Sequence, residues 1–157
     1  MKLIKPSVCI KEQDKGLEGV LKQIEWVGRH CYMSMDKITE DSAKEFVDKL
    51  IKSKHLAMLE HGTVYLKVPV ETWQDCWHEW IFMFPDVVPW ISIDCDGKYH
   101  YITTNLRHII EGEVGMKTVS TYWCEPTECH EKRYTLKFTT SIGITRELIR
   151  HKLLCVA

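Results

Sequence analysis

The feature that most narrows the fold is a change of hydrophobic period. Leu17, Val20, Leu21, Ile24, Val27 and Cys31 recur at the spacing of one helix face, and Ala43, Phe46, Val47, Leu50 and Ile51 repeat the pattern. Thr39 is placed to cap the second helix, with Glu40 and Asp41 suited to the positive end of its dipole. Past "KSKHLAMLEHG" the period drops to two: Val64, Leu66 and Val68 alternate with Thr63, Tyr65 and Lys67 until Pro69. Tyr134, Leu136 and Phe138 alternate with Thr135, Lys137 and Thr139 in the same way, and Gly143 separates that strand from a helical stretch over 144–154. Strands with one apolar face need a layer to cover them. The predicted class is therefore α+β, with an antiparallel sheet covered by the N-terminal helices.

Between these strands, residues 70–131 hold five of the six tryptophans, and within them "YHYITTNLRHIIEG" predicts a strand, a turn at Asn105 and a short helix ended by Gly112. No repeat or linker divides the 157 residues, so one domain over 1–157 is expected. The longest apolar runs fall short of the ~20 residues of a membrane span. The N-terminus lacks the apolar core and cleavage site of a secretory signal, and the expected location is cytoplasmic. Cys9, Cys31, Cys76, Cys95, Cys124, Cys129 and Cys155 are odd in number and irregularly spaced, which reads as free thiols in a reducing compartment. A net charge of −1 gives no overall pull toward nucleic acid or anionic membrane.

Three constellations could carry chemistry. From Lys132 onward six Lys or Arg stand against one acid, Glu147, and "RELIRHK" sets Arg146 and Arg150 on one helix face with Glu147 and His151 beside them. Guanidinium groups suit phosphate, although a solvated face laced by a Glu–Arg pair uses the same residues. In "KHLAMLEHG", His55, Glu60 and His61 lie between a helix end and a strand, where loops carry ligand contacts; a helix C-terminal histidine and an exposed Glu–His pair are the plain alternative. Cys76 and His78, with Cys124, Cys129 and His130, are zinc-ligand types, but without the paired C-x2-C knuckles buried thiols and histidines account for them as well. Trp73, Trp77 and Trp80 have helical spacing and read as core or as a subunit interface.

Taken together, "IEWVGRHCYMSMDKITEDSAKEFVDKLIKSKHLAMLEHGTVYLKV" and "KRYTLKFTTSIGITRELIRHK" resemble the flavin-dependent thymidylate synthase family over residues 20–68 and 130–152, with 70–131 as an insertion between them. The resemblance implies methylation of dUMP to dTMP, with methylenetetrahydrofolate as one-carbon donor, FAD as hydride carrier and NADPH as reductant. It also implies a homotetramer whose active sites draw on several subunits, with no cysteine nucleophile. By resemblance His55, Ala57, Glu60, Arg150, His151 and Lys152 contact FAD, while Glu147, Leu148, Ile149 and Arg150 lie at the dUMP site.

The chain departs from the family at named places. Lys152 stands where arginine is usual and loses its two-pronged contact, Cys155 replaces a serine, and Leu56 and Ala57 replace polar residues of the flavin loop. The sequence stops two residues after Cys155, before the family's dUMP-binding serine and arginine, so the domain is expected to be incomplete at its C-terminus. The alternative expectation is an inactive remnant, or a flavin- or nucleotide-binding module, of the same fold.

Overall fold

The computed structural model describes residues 5–72, 91–112 and 115–148. Helix α1 (Gly16–Cys31) buries Val20, Ile24 and Val27 as its stripe predicts. Leu17 and Cys31, at its two ends, stay exposed because the faces they occupy run past the elements it packs on. Helix α2 (Ser42–Lys52) buries Ala43, Phe46, Val47 and Leu50 against α1. Its start differs from the sequence expectation. Asp41 occupies the cap position without a side-chain cap bond, and it is the Ser42 hydroxyl that accepts the Thr39 N–H at 2.9 Å. The same oxygen lies 2.9 Å from Glu25 Oε2 on α1, so the helix start is tied to its neighbour. Glu25 is itself buried, and Arg29 donates to it through Nε and Nη2, both at 3.1 Å, while stacking over the Phe46 ring.

Strand β2 (Thr63–Pro69) pairs antiparallel with β4 (Tyr99–Asn105), which also pairs with β3 (Ser92–Cys95), giving the order β2-β4-β3. Val64, Leu66 and Val68 are fully buried, as the alternation predicts, and meet Ile102 across the register Leu66↔Ile102. Asn105 ends the strand and caps α3 (Leu106–Glu111), its Oδ1 accepting the His108 N–H at 2.9 Å, and Gly112 closes that helix as expected. Helix α4 (Met116–Tyr122) follows and lays Val119 on the same core. The stretch 70–131 thus supplies the middle strand of this sheet. One apolar cluster joins α1, α2, the sheet face, α3 and α4. The molecule is α+β with antiparallel sheets.

The second predicted strand behaves differently. Strand β5 (Thr135–Thr139) pairs with β1 (Ser7–Lys11) in a separate two-stranded sheet, so there are two sheets rather than one. Its apolar residues, expected to be buried, are exposed. The other face of this ribbon is uncovered as well, since Cys9 and Lys137 are exposed too, and its link to α1 runs through Lys137, whose Nζ lies 2.7 Å from His30 Nε2. Helix α5 (Ile142–Leu148) begins one residue before Gly143 and so contains it; the rest of the helical stretch predicted over 144–154 lies outside the described residues. Among the described residues no helix is long and apolar enough to cross a membrane.

Gly62 holds the junction before β2 close to α1. A Cβ there would sit 2.6 Å from Ile24 Cδ1 and 2.7 Å from Val20 Cγ1, both in the core. Gly62→Ala is expected to cost about 1–3 kcal/mol through overpacking. Urea unfolding followed by circular dichroism checks this, and a variant as stable as the parent would refute the close approach.

Candidate functional site

The site is built where α2 ends. Ser53 terminates the helix, Lys54 takes the left-handed conformation (φ 58°), and two bonds close the turn: Lys54 N–H to Ile51 O at 3.1 Å and His55 N–H to Leu50 O at 3.0 Å. This is the Schellman arrangement, which glycine normally serves; a lysine there costs roughly 1–2 kcal/mol of backbone strain. The turn fixes His55 at the mouth of a short 3-10 helix (Leu56–His61) that carries Ala57 and Glu60 and buries Leu59. Helix α1 ends in the same way, with Met33 left-handed (φ 51°) and Ser34 N–H bonded to Arg29 O at 2.9 Å. Tyr32 is thereby held beside Phe46, with the ring centroids 6.3 Å apart.

Strand register brings in a residue that the sequence motifs did not single out. Thr63 pairs with Asn105 in antiparallel strands, so residues just before 63 meet residues just after 105. Arg107 Nη1 donates to Glu60 Oε1, while its Nε and Nη2 each donate to the Glu111 carboxylate at 3.1 Å. The Glu60 side chain is only 11 % exposed, so its charge depends on this partner. Glu111 first, then Glu60, hold the Arg107 guanidinium above its ordinary pKa. Three of its five N–H groups are used, leaving two for a ligand.

Two cavities adjoin here. One of about 400 Å3 is lined by Lys54, His55, Leu56, Ala57, Met58 and Arg107, with Tyr32 and Glu111 at its wall. A second, about 280 Å3, is lined by Arg29, Lys49, Phe46 and Leu50 among others. Tyr32 and His55 line both and stand at the partition. Each compartment has two cations and an apolar wall, and carboxylates hold three of the four cations: Glu60 and Glu111 bind Arg107, Glu25 binds Arg29, and Glu45, itself on the wall of the second compartment, lies 2.6 Å from Lys49. Burial pushes the neighbouring His61 below the ordinary histidine pKa, and pushes His108 on α3 down to about 4.

Of the residues the sequence nominated, His55 and Ala57 line one cavity and Glu60 braces it from below. Glu147 is exposed on α5 and lines neither compartment; Leu148 ends that helix. Ile149, Arg150, His151 and Lys152 lie outside the described residues, as do Cys76, His78, Trp73, Trp77, Trp80 and Cys155. Of the thiol and histidine constellation, Cys124 and His130 come together, with Cys124 Sγ 3.7 Å from His130 Nε2, and His130 is also bonded within the fold. Its Nδ1 accepts the Thr127 N–H at 3.0 Å, its Nε2 faces Leu66 O at 3.1 Å, and Tyr65 and Tyr101 enclose the ring edge-on. Among the described residues no group of three or more His, Cys, Asp or Glu is placed to hold a metal ion. No protein-family model, curated protein or solved structure matches the chain.

Arg107→Ala should destabilise the fold by about 1–3 kcal/mol by leaving the Glu60 carboxylate unpaired. Adding Glu60→Gln should restore part of that loss, and a double-mutant cycle by chemical denaturation reads the coupling; additive losses would show that the pair is not coupled. A pH dependence follows from the histidines. Those at 61, 108 and 130 are held neutral by burial below their unfolded pKa. The unfolded chain therefore binds more protons, and stability should be full above about pH 6.5 and fall as pH drops toward about 4. Urea midpoints across that window check the slope, which His108→Gln should flatten.

Proposed function

We propose that the chain acts as a flavin-dependent thymidylate synthase, making dTMP from dUMP and methylenetetrahydrofolate with FAD as hydride carrier and NADPH as reductant. The observation that carries this reading is the bipartite groove at His55. Two adjoining compartments of about 400 and 280 Å3, each with its own cations, suit the two halves of a dinucleotide better than one compact ligand. Of the positions that the family resemblance nominates, His55 and Ala57 line it and Glu60 holds Arg107 at its wall, which supports the reading.

The residues fit FAD chemically. Lys54 and Arg107 beside one compartment, and Arg29 and Lys49 beside the other, are the cations open to a phosphate, which at Arg107, Arg29 and Lys49 would share them with bound carboxylates; Leu56, Met58, Phe46 and Tyr32 supply apolar surface for a flat ring. FAD, when bound, supplies hydride transfer, which side chains cannot. The chain's own part is to hold and orient: Glu60 and Glu111 fix the plane of the Arg107 guanidinium through three of its five N–H groups, so the cation meets a ligand already positioned. His55, at the partition, is positioned to donate to a carbonyl or phosphate oxygen from either side.

Glu147 lines neither compartment of its own chain. On this reading Glu147 serves a groove on another subunit, in keeping with the homotetramer that the resemblance implies. A shared site of this kind makes assembly a condition of turnover.

Purified protein incubated with FAD should stay yellow after free flavin is removed by gel filtration, and should gain stability by about 2.7 kcal/mol at a hundred times the dissociation constant. His55→Ala and Arg107→Ala should each weaken FAD about tenfold, or ~1.4 kcal/mol. NADPH-dependent release of dTMP from dUMP tests the reaction. Protein that neither binds FAD nor is stabilised by dUMP would overturn the reading, and binding without turnover would leave the flavin- or nucleotide-binding module in its place.

A further inference from the structure

A third cavity, of about 280 Å3, shares no lining residue with either compartment of the groove. It is built on the outer edge of β2, the edge strand of its sheet. Thr63 and Tyr65, which line it, alternate with the buried Val64 and Leu66 and so stand on the opposite face of the strand. Two segments close the edge. Before α1, the Gln13 side-chain amide takes the place of a neighbouring strand: its Nε2 donates to Thr63 O and its Oε1 accepts the Thr63 N–H, both at 2.8 Å. After α4, Trp123 bridges to Leu66 and the Cys124 N–H donates to Tyr65 O at 3.0 Å. Both segments line the cavity, so its walls are fixed by backbone bonds.

Charged groups of both signs line it, and depth sorts them. Glu12, Asp14 and Glu125 are exposed, as are Lys15 and Lys132, whereas Lys11 and Arg133 are half-buried. The inner charge is therefore cationic, and the carboxylates stand in water at the rim, where salt screens them. Among the described residues no ion pair engages Lys11. Arg133 is anchored by Nη2, which lies 3.5 Å from Thr103 O, and its backbone N–H donates to the Tyr65 hydroxyl. That hydroxyl uses a lone pair within the fold and keeps its own proton to give. Burial holds the phenol above the ordinary tyrosine pKa, so the proton stays in place at neutral pH. Tyr65 and Trp123, both half-buried, add flat apolar surface beside these donors.

We propose that this cavity is a second ligand site, for a small aromatic anion: one ring bearing a single phosphate or carboxylate group. The ring lies against Tyr65 and Trp123, while the anion meets Lys11, Arg133 and the Tyr65 hydroxyl. The volume of about 280 Å3 sets the size, since sites for drug-sized ligands begin at roughly 300 Å3. The site stands on this cavity alone and does not need the thymidylate synthase reading.

Phenyl phosphate titrated into the full chain should bind saturably. It should shift the backbone amide NMR signals of Gln13, Thr63, Tyr65 and Cys124 more than those of His55 and Arg107. Inorganic phosphate and phenol should each bind about tenfold more weakly, because each offers half of what the site recognises. Lys11→Ala and Tyr65→Phe should each weaken phenyl phosphate about tenfold, and Lys11→Arg should restore it. Benzoate in place of phenyl phosphate reads which anion is preferred, and tighter binding of either supports the site. Four results would overturn it: no saturable binding, inorganic phosphate bound as tightly as phenyl phosphate, shifts confined to the groove at His55, or a well-folded Lys11→Ala variant that binds like the parent. The signal map is made on the unaltered chain, which keeps the test valid if a variant misfolds. FAD binding is measured separately on the same protein: its absence overturns the flavin reading and leaves this site standing.

Discussion

The antiparallel register between β2 and β4 is the constraint on which the rest of the structure depends. It places Ile102 opposite Leu66 and so completes the sheet face that α1 and α2 cover. It also sets Thr63 opposite Asn105, and from that single pairing the two halves of the candidate site come together. The 3-10 helix entering β2 delivers Glu60, and the helix leaving β4 delivers Arg107. A shift of one position would turn Val64, Leu66 and Val68 outward and separate the carboxylate from its guanidinium. The core and the site therefore share one geometric cause. Burial of the sheet face stabilises the same register that pairs the charges.

Strain and charge concentrate around that junction. Two helices end beside it in left-handed residues that are not glycine, Met33 and Lys54, and each turn holds an aromatic or imidazole ring at the groove between them. Strain of this kind persists only where neighbouring structure over-determines it. Here the closed Schellman bonds and the packing of Gly62 against Val20 and Ile24 do so. The groove is consequently rigid at its base and polar at its rim, a setting in which a ligand meets preformed donors.

Much of the fold is legible in the sequence, because period alone separates the two N-terminal helices from β2, and Asn105 with Gly112 brackets α3 through cap chemistry. The site is legible in part. "KHLAMLEHG" announces a functional junction by its residue types, and five of its members, Lys54 to Met58, line the cavity. Arg107 escapes notice because its i, i+4 spacing to Glu111 reads as an ordinary surface pair, and its bond to Glu60 spans 47 positions. The two ends of that bond meet only through the sheet.

Residue spacing by itself determined which segments are helical, which are extended and which faces are apolar, since these depend on neighbours within a few positions. Only the tertiary structure decided what each apolar face meets. For Val64, Leu66 and Val68 the partner is a helical layer, and the face is buried. For Leu136 and Phe138, on an equally regular strand, the partner is β1 alone, and both faces of that ribbon are exposed. Alternation specifies two faces with equal clarity in both strands. Whether either of them is covered is set by long-range packing, which spacing within a few positions does not specify.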